Sequence, residues 1–126
     1  MFRCVLAALT AAFIVSPAAA QVQRTFPQNA MRGALVMGAP PEITLNGQPA
    51  RLAPGARIRN QDNLLEMSGA LIGQRMLVNY TLETNGLVKE VWILRADEAA
   101  IRPWPTKLEE AQTWSFDPAA QTWTKP

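Results

Sequence analysis

The side chains that most often carry out catalysis or bind transition metals are almost absent from this 126-residue sequence. It contains no His, and its single Cys, Cys4, lies in an N-terminal stretch that has the pattern of an export signal. A mature chain without these residues can form no Ser-His-Asp triad, no thiol nucleophile and no disulfide. It also lacks the ligands that zinc and copper prefer. We therefore expect no catalytic residues, no metal site and no cofactor.

Carboxylates are the remaining groups that could act as a general acid or base. The pairs Glu109-Glu110 and Asp97-Glu98 are adjacent in sequence, and adjacent helical side chains do not face each other. They are typical of solvated helix starts, where acidic side chains complement the helix dipole. Asp62-Asn63 with Glu66 comes nearest to a calcium loop but lacks its repeated acidic spacing. A small carboxylate-based enzyme remains an alternative, which requires Glu66 or Glu90 beside a second acid in a cleft.

Arginine and tryptophan supply the candidates for binding. The possible binding surface consists of Arg51, Arg57, Arg59, Arg75, Trp104, Trp114 and Trp123. A row of arginines could bind an anionic polymer through charge-assisted hydrogen bonds. However, exposed Arg on an edge strand also discourages edge-to-edge aggregation. The formal net charge of +2 is far from a nucleic-acid footprint, so we do not expect a nucleic-acid partner.

The first 20 residues have the pattern of a cleavable export signal. Arg3 provides a positive charge, and an uncharged, largely apolar run follows from Cys4 to Val15. Ala18-Ala19-Ala20 then offers the small side chains that signal peptidase requires, so cleavage is expected between Ala20 and Gln21. The apolar run is too short to span about 30 Å of hydrocarbon as a helix. These features predict a periplasmic protein with no membrane span after cleavage.

The candidate residues must be positioned by secondary-structure elements. The first element that the sequence clearly predicts is a hairpin. Residues 42–45 alternate polar and apolar side chains, and Asn46-Gly47 supplies two residues that tolerate positive φ. A type I′ turn at this position fixes the pairing. It should place Leu45 opposite Gln48, Ile43 opposite Ala50, and Glu42 opposite Arg51.

A second and stronger hairpin is predicted for residues 75–83 and 87–95. Apolar residues alternate with mostly polar ones, and Asn85-Gly86 suggests another two-residue turn. Counted outward from that turn, Leu82 should face Lys89, Tyr80 should face Val91, Val78 should face Ile93, and Met76 should face Arg95.

The opposite face of this second hairpin is also apolar. It carries Leu77, Trp92 and Leu94, so another segment is expected to cover it. We predict that Trp104, stiffened by neighbouring prolines, packs on this face. Trp123 lies three residues from the C-terminal residue and is expected to be mobile.

Two further segments are less regular. Residues 64–72 fit a short strand, a turn of helix, or both. In the tail, residues 97–100 suit a helical turn, and Thr106 with Glu109 suggests a capping box for a helix ending near Trp114. Asp117-Pro118 has the pattern of another helix start.

Together these signals predict a mainly β protein, a small antiparallel barrel or strongly bent sheet of about five strands. The expected organisation is a signal peptide at 1–20, a loose N-terminal arm at 21–31, a β domain at 32–95, and a tail at 96–126 with short helical turns. Across residues 32–95, the Asn-Gly hairpins, the Pro54-Gly55 turn and the strand from Arg75 resemble small exported bacterial proteins with an OB-like barrel. That family has no assigned activity, so the resemblance implies a fold and no functional residues.

Three functional hypotheses follow from the sequence. The first is a non-catalytic periplasmic binding or accessory module for a protein or cell-envelope polymer. The second is an OB-like barrel that binds a polyanion or nucleic acid, which requires the four arginines on one exposed face. The third is the small carboxylate-based enzyme described above.

Overall fold

The computed structural model describes residues 23–126 of the chain. The expected signal peptide and its cleavage site between Ala20 and Gln21 lie outside these residues. The described elements are β1 (Met31–Met37), β2 (Glu42–Leu45), β3 (Gln48–Arg59), β4 (Leu65–Glu66), a 3-10 helix (Ser68–Leu71), β5 (Arg75–Leu82), β6 (Val88–Ile93), α1 (Ala96–Ala99), α2 (Leu108–Thr113), β7 (Ser115–Asp117) and β8 (Thr122–Thr124).

Five strands close into a small barrel, as the sequence predicted. Around the barrel the order is β1, β2, β3, β6, β5 and back to β1, and β4 adds to the outer edge of β3. Four of these neighbouring pairs are antiparallel, whereas β3 and β6 run parallel. Closure removes most of the open sheet edges that invite aggregation.

Alternating side chains of these strands fill the barrel interior. Leu35, Val78, Val88 and Val91 are almost completely buried, and they come from β1, β5 and β6. Successive strand residues point to opposite faces, so alternate residues of each strand, mostly apolar, converge inside the barrel. Tyr80 also lies in this core, and burial raises the pKa of its hydroxyl.

The first hairpin forms as predicted. Asn46 and Gly47 have φ values of 53° and 78°, as a type I′ turn requires. Leu45 faces Gln48, Ile43 faces Ala50, and Glu42 faces Arg51. Arg51 and Glu42 form an ion pair at 3.2 Å, but both side chains are exposed, so the pair stabilises the fold by at most about 1 kcal/mol.

The second hairpin has the predicted strands but a different turn. Tyr80 faces Val91 and Val78 faces Ile93, as predicted, but Leu82 faces Val88 rather than Lys89. The carbonyl of Glu83 accepts the N–H of Gly86 at 2.9 Å, and the Glu83 N–H donates to the carbonyl of Leu87. Gly86 alone of the Asn85-Gly86 pair has positive φ. A three-residue loop with a left-handed Gly therefore replaces the two-residue turn, and a bulge shifts the register.

A second apolar core covers the outside of the β5–β6 hairpin. Trp104 is buried there with Trp92 and Leu94, as predicted for the tail, whereas Leu77 remains 42% exposed. Phe26 links the two tryptophans because its ring contacts both edge-on, at centroid distances of 5.6 and 5.7 Å.

Two expectations about the chain ends were wrong. Residues 23–30, expected to belong to a loose arm, bury Arg24, Phe26 and Ala30. Trp123, expected to be mobile, is 4% exposed and stacks near Phe116 at 4.7 Å between ring centroids. Phe26 from the N-terminal segment and Trp123 from the tail both belong to the second core. Burial of their apolar surface stabilises the docking of both chain ends.

The tail elements differ from the expected helix starts. The helix α2 begins after Lys107 without a side-chain cap, and the hydroxyl of Thr106 donates to Glu110 instead of forming a capping box with Glu109. Asp117 accepts the backbone N–H groups of Ala119 and Ala120. Its side chain therefore caps the turn between β7 and β8 rather than a helix.

A buried ion network ties the N-terminal segment and the tail to the barrel. The guanidinium of Arg24 donates to the Glu98 carboxylate at 2.8 Å, to the carbonyl of Asn60 and to that of Ile93. Arg32 donates to the carbonyls of Ile101 and Glu98. Burial lowers the pKa of Arg32 to about 10, with the Glu98 charge opposing that shift.

Candidate binding groove

A concave site, called the groove below, lies on the outer edge of β3. It encloses about 720 Å³, which falls within the usual range of ligand pockets. Its walls come from three segments: the middle of β3, the cis Pro40–Pro41 loop and the residues that follow β4. The lining residues are Pro40, Pro41, Leu52, Ala53, Gly55, Ala56, Ile58, Glu66, Met67, Ser68, Gly69 and Ala70.

The floor of this groove is an interrupted stretch of β3. Its pairing with β2 ends at Arg51, and its pairing with β4 begins at Ile58. On the opposite edge, the register against β6 shifts between Leu52 and Arg57. Pro54 cannot donate a ladder hydrogen bond, and Gly55 has a φ of 77°, so this stretch bends away from regular pairing.

The outer wall belongs to residues 64–72, the segment whose sequence fits a short strand, a turn of helix, or both. It contains both elements, because β4 pairs with β3 for two residues and the 3-10 helix follows directly. Asn60 holds the start of this wall. Its side-chain oxygen accepts the N–H groups of Asp62 and Leu64, and its amide nitrogen donates to Glu66 at 2.9 Å.

Large apolar side chains of this wall and of the residues that flank it remain exposed to solvent. Met67 is 80% exposed, and Leu64 and Leu65 are each 63% exposed. Ile72, at the end of the wall, is 56% exposed. Scattered exposed apolar residues are normal, but several within nine residues beside a groove are characteristic of an interaction surface.

Among the described residues that line the groove, Glu66 provides the only charge. Its carboxylate is partly buried and accepts the hydrogen bond from Asn60. The half-buried Ser68 adds a hydroxyl to an otherwise apolar lining. The groove therefore suits an apolar ligand that carries a positive charge at one place.

The structure does not bring the four candidate arginines together. Arg51, Arg57 and Arg59 lie along β3, but Arg75 lies on β5 beside Val36 of β1. Arg51 forms an ion pair with Glu42, and Arg57 lies opposite Glu90 in the register of β3 against β6. Arg59 donates to the carbonyl of Asn63. The single exposed basic face required by the polyanion hypothesis is therefore not formed.

The candidate tryptophans are also mostly unavailable as a binding surface. Trp104 and Trp123 are buried in the second core, which corrects the expectation that they could contact a partner. The indole N–H of Trp104 donates to the buried carbonyl of Ala30 at 3.0 Å. Trp114 alone of the three is half exposed, and the ammonium of Lys125 lies 5.3 Å from its ring centroid.

One pair of carboxylates shares a cleft. Glu66 is the one acid among the described residues that line the groove, whereas Glu83 and Glu90 together line two smaller concave sites, each of which also contains Lys89. Arg95 holds the pKa of the Asp97 carboxyl below its usual value through a side-chain hydrogen bond. Among residues 23–126, no group of three or more Asp, Glu, His or Cys side chains lies close enough together to bind a metal ion.

The groove was not predicted from the sequence, although a signal for it is present there. Residues 64–72 contain more large apolar side chains than one short strand and one helical turn can bury. The excess marks a segment whose apolar residues face something other than its own core.

The chain matches no known family model, no characterised protein and no solved structure. Within residues 23–126, no helix is long and apolar enough to cross a membrane. A functional site at the groove is therefore inferred from its geometry alone.

Proposed function

We propose that this protein is a non-catalytic binding module of the periplasm, which holds a protein partner in the groove beside β3. The observation that carries this proposal is the apolar groove together with the exposed side chain of Met67 on its outer wall. Two further exposed apolar residues, Leu64 and Leu65, precede this wall in the sequence. A protein partner is favoured over an envelope polymer because most of the lining is apolar rather than cationic.

The energetics of the wall support a binding role. Burying one Leu or Met side chain stabilises a complex by about 1.5–3 kcal/mol. Burial of Met67 in a complex therefore provides a useful fraction of the roughly 8 kcal/mol that micromolar affinity requires, and the other apolar lining residues add to it. Met67 brings no comparable benefit to the isolated protein, since its side chain is 80% exposed.

The periplasmic location rests on the N-terminal sequence alone. A charged start, a short apolar run and the Ala18-Ala19-Ala20 site favour export and cleavage before Gln21. A mature chain without Cys suits this oxidising compartment.

We also propose that the barrel is OB-like. The first barrel strand, β1, pairs with the second and the fourth, β2 and β5. The third and fifth, β3 and β6, run parallel, and this order supports the OB-like proposal. The proposal concerns architecture only, because fold does not imply function.

The binding role can be tested by capture of partners from envelope extracts. The purified protein, Met67→Glu and Leu108→Glu are each immobilised, and the proteins retained are compared. Leu108 is a matched control because it is also an exposed apolar residue but lies on α2, outside the groove.

We expect the parent and Leu108→Glu to retain the same partner, and Met67→Glu to lose it while melting like the parent. Equal retention by all three proteins would show that the groove is not the binding site.

A further inference from the structure

We infer that the groove takes an extended peptide, which adds as a strand to the open edge of β3 and places a Lys or Arg beside Glu66. This inference rests on the proposed binding function and specifies the chemistry of the partner. Three features of the groove lead to it: an open strand edge, an apolar lining, and a single negative charge.

The open edge lies between the ends of two neighbouring strands. At one end, the N–H of Leu52 donates to the carbonyl of Pro41, just before β2. At the other end, the N–H of Asn60 donates to the carbonyl of Leu64, just before β4. Among residues 23–126, no strand pairs with residues 53–57 on this edge.

Ala56 is the residue best placed to pair with an added strand. Alternate residues of a strand direct their N–H and C=O groups to the same edge. Asn60 and Ile58 both pair with the β4 segment, so Ala56, two residues earlier, presents its N–H and C=O to the groove. Backbone groups at such an edge are the usual template for peptide binding by strand addition.

The lining accommodates apolar side chains of the added strand. Leu52 and Ile58 form the buried floor, and Met67 and Ala70 form the opposite wall. Since successive side chains of an extended peptide point to opposite faces, alternate residues of the ligand would enter the groove. Affinity would come from these side chains and register from the backbone hydrogen bonds.

The charge of the groove selects a basic residue. Within residues 23–126, Glu66 is the single charged residue of the lining, and its neighbours there are Met67 and Ser68. A partly buried carboxylate within an apolar surface favours a ligand that brings a cation and penalises one that brings a second anion. Its hydrogen bond from Asn60 holds the carboxylate at the position where β4 ends.

The test uses short synthetic peptides and isothermal titration calorimetry on the purified full protein. The first peptide alternates Val and Thr, with a central Leu followed by one Lys. The second has Glu in place of the Lys, the third has Thr in place of the Lys, and the fourth carries N-methyl groups on alternate backbone amides. The protein variants are Glu66→Gln and, as a matched control on α2, Glu109→Gln.

We expect the Lys peptide to bind most tightly and the Glu peptide most weakly. Backbone methylation should weaken binding about tenfold, because each blocked amide leaves a backbone acceptor unpaired. Glu66→Gln should weaken the Lys peptide about 2- to 5-fold and leave the Thr peptide unchanged. Glu109→Gln should bind all the peptides as the parent does. Amide hydrogen exchange at residues 53–57 should slow when the Lys peptide is bound.

Several results would overturn the inference. Equal affinity of the methylated and unmethylated peptides would exclude strand addition. Equal affinity of the Lys and Glu peptides would exclude the role of Glu66. A dimer that buries the groove, seen as a doubled mass in solution, would make a second copy the occupant. If Met67→Glu loses its envelope partner and no peptide binds, the binding function stands and the strand-addition inference fails. If neither effect is seen, both fail.

Discussion

Replacement of Trp104 by Ala tests how the tail is held on the barrel. Trp104 is 5% exposed at the centre of the second core. Its ring contacts Phe26 edge-on at a centroid distance of 5.7 Å, and Trp123 and Phe116 both lie at 6.1 Å. The guanidinium carbon of Arg32 lies 4.8 Å from its ring centroid. Removing the indole therefore opens a cavity where both chain ends meet.

The expected loss of stability is large. A buried Trp replaced by Ala typically costs about 3–5 kcal/mol. The substitution also removes the donor to the carbonyl of Ala30, a residue that is fully buried, and such a lost partner costs about 1–3 kcal/mol. The sum, about 4–8 kcal/mol, approaches the total stability of many small domains. The melting temperature should fall by about 20 °C or more.

Circular dichroism at increasing temperature measures this loss without depending on Trp fluorescence. Trp114→Ala is the comparison variant, because this Trp is half exposed and packs against the edge of the same core, with Lys125 beside its ring. The contact with Lys125 contributes about 0.5–1 kcal/mol, and the partial burial of the indole adds to that loss. We expect this variant to melt below the parent but clearly above Trp104→Ala.

A melting temperature of Trp104→Ala equal to that of the parent would contradict docking of the tail on the barrel. That result would mean that the tail does not dock on Trp92 and Leu94, and the tail would then become a candidate for the functional surface.

The other predictions concern a turn, the ion network and export. Gly86→Val should destabilise the protein by about 1–2 kcal/mol because Gly86 has a φ of 83°, and an unchanged melting temperature would show that the turn is wrongly assigned. Glu98→Gln should cost about 3–5 kcal/mol in urea denaturation, since it leaves the buried guanidinium of Arg24 without its counter-charge; a midpoint equal to that of the parent would contradict this role. Mass spectrometry of the exported protein should find Gln21 at its N-terminus, and a membrane species that retains Met1 would argue against cleavage.

The barrel could be predicted from the sequence because local rules determine its hairpins. Asn46-Gly47 takes the one turn type that two residues of positive φ permit, and the register of β2 against β3 follows. At Asn85-Gly86 the same pair of residue types lies in a longer, three-residue loop, and Gly86 alone of the pair has positive φ. An Asn-Gly pair allows both turns, so the flanking strands decide between them. The parallel pairing of β3 and β6 depends on closure of the whole barrel, which no local pattern encodes.

The packing of the chain ends was harder to predict. The excess of apolar residues on the outer face of β5 and β6 correctly indicated that Trp104 covers it. The contribution of residues 23–30 was missed, because Phe26 and Arg24 stand alone among polar neighbours and their partners are far along the chain. Arg24 and Glu98 are 74 residues apart, a separation that no sequence spacing reveals.

The binding groove could be predicted only in part. The excess of apolar residues in 64–72 is visible in the sequence, but the gap in β3 pairing arises from where β2 ends and β4 begins. The candidate arginines and tryptophans were selected by residue type. Burial removes Trp104 and Trp123 from the surface, and sheet order separates Arg75 from the other arginines.

Site-specific photo-crosslinking in living cells tests the central claim most directly. A photoreactive phenylalanine analogue replaces Met67 in one protein and Leu108 in another, since both side chains are exposed but only Met67 lies in the groove. A binding groove predicts a discrete crosslinked protein adduct from position 67 and none from position 108. Adducts of equal intensity at both positions, or none at position 67, would contradict the claim that this groove holds a protein partner.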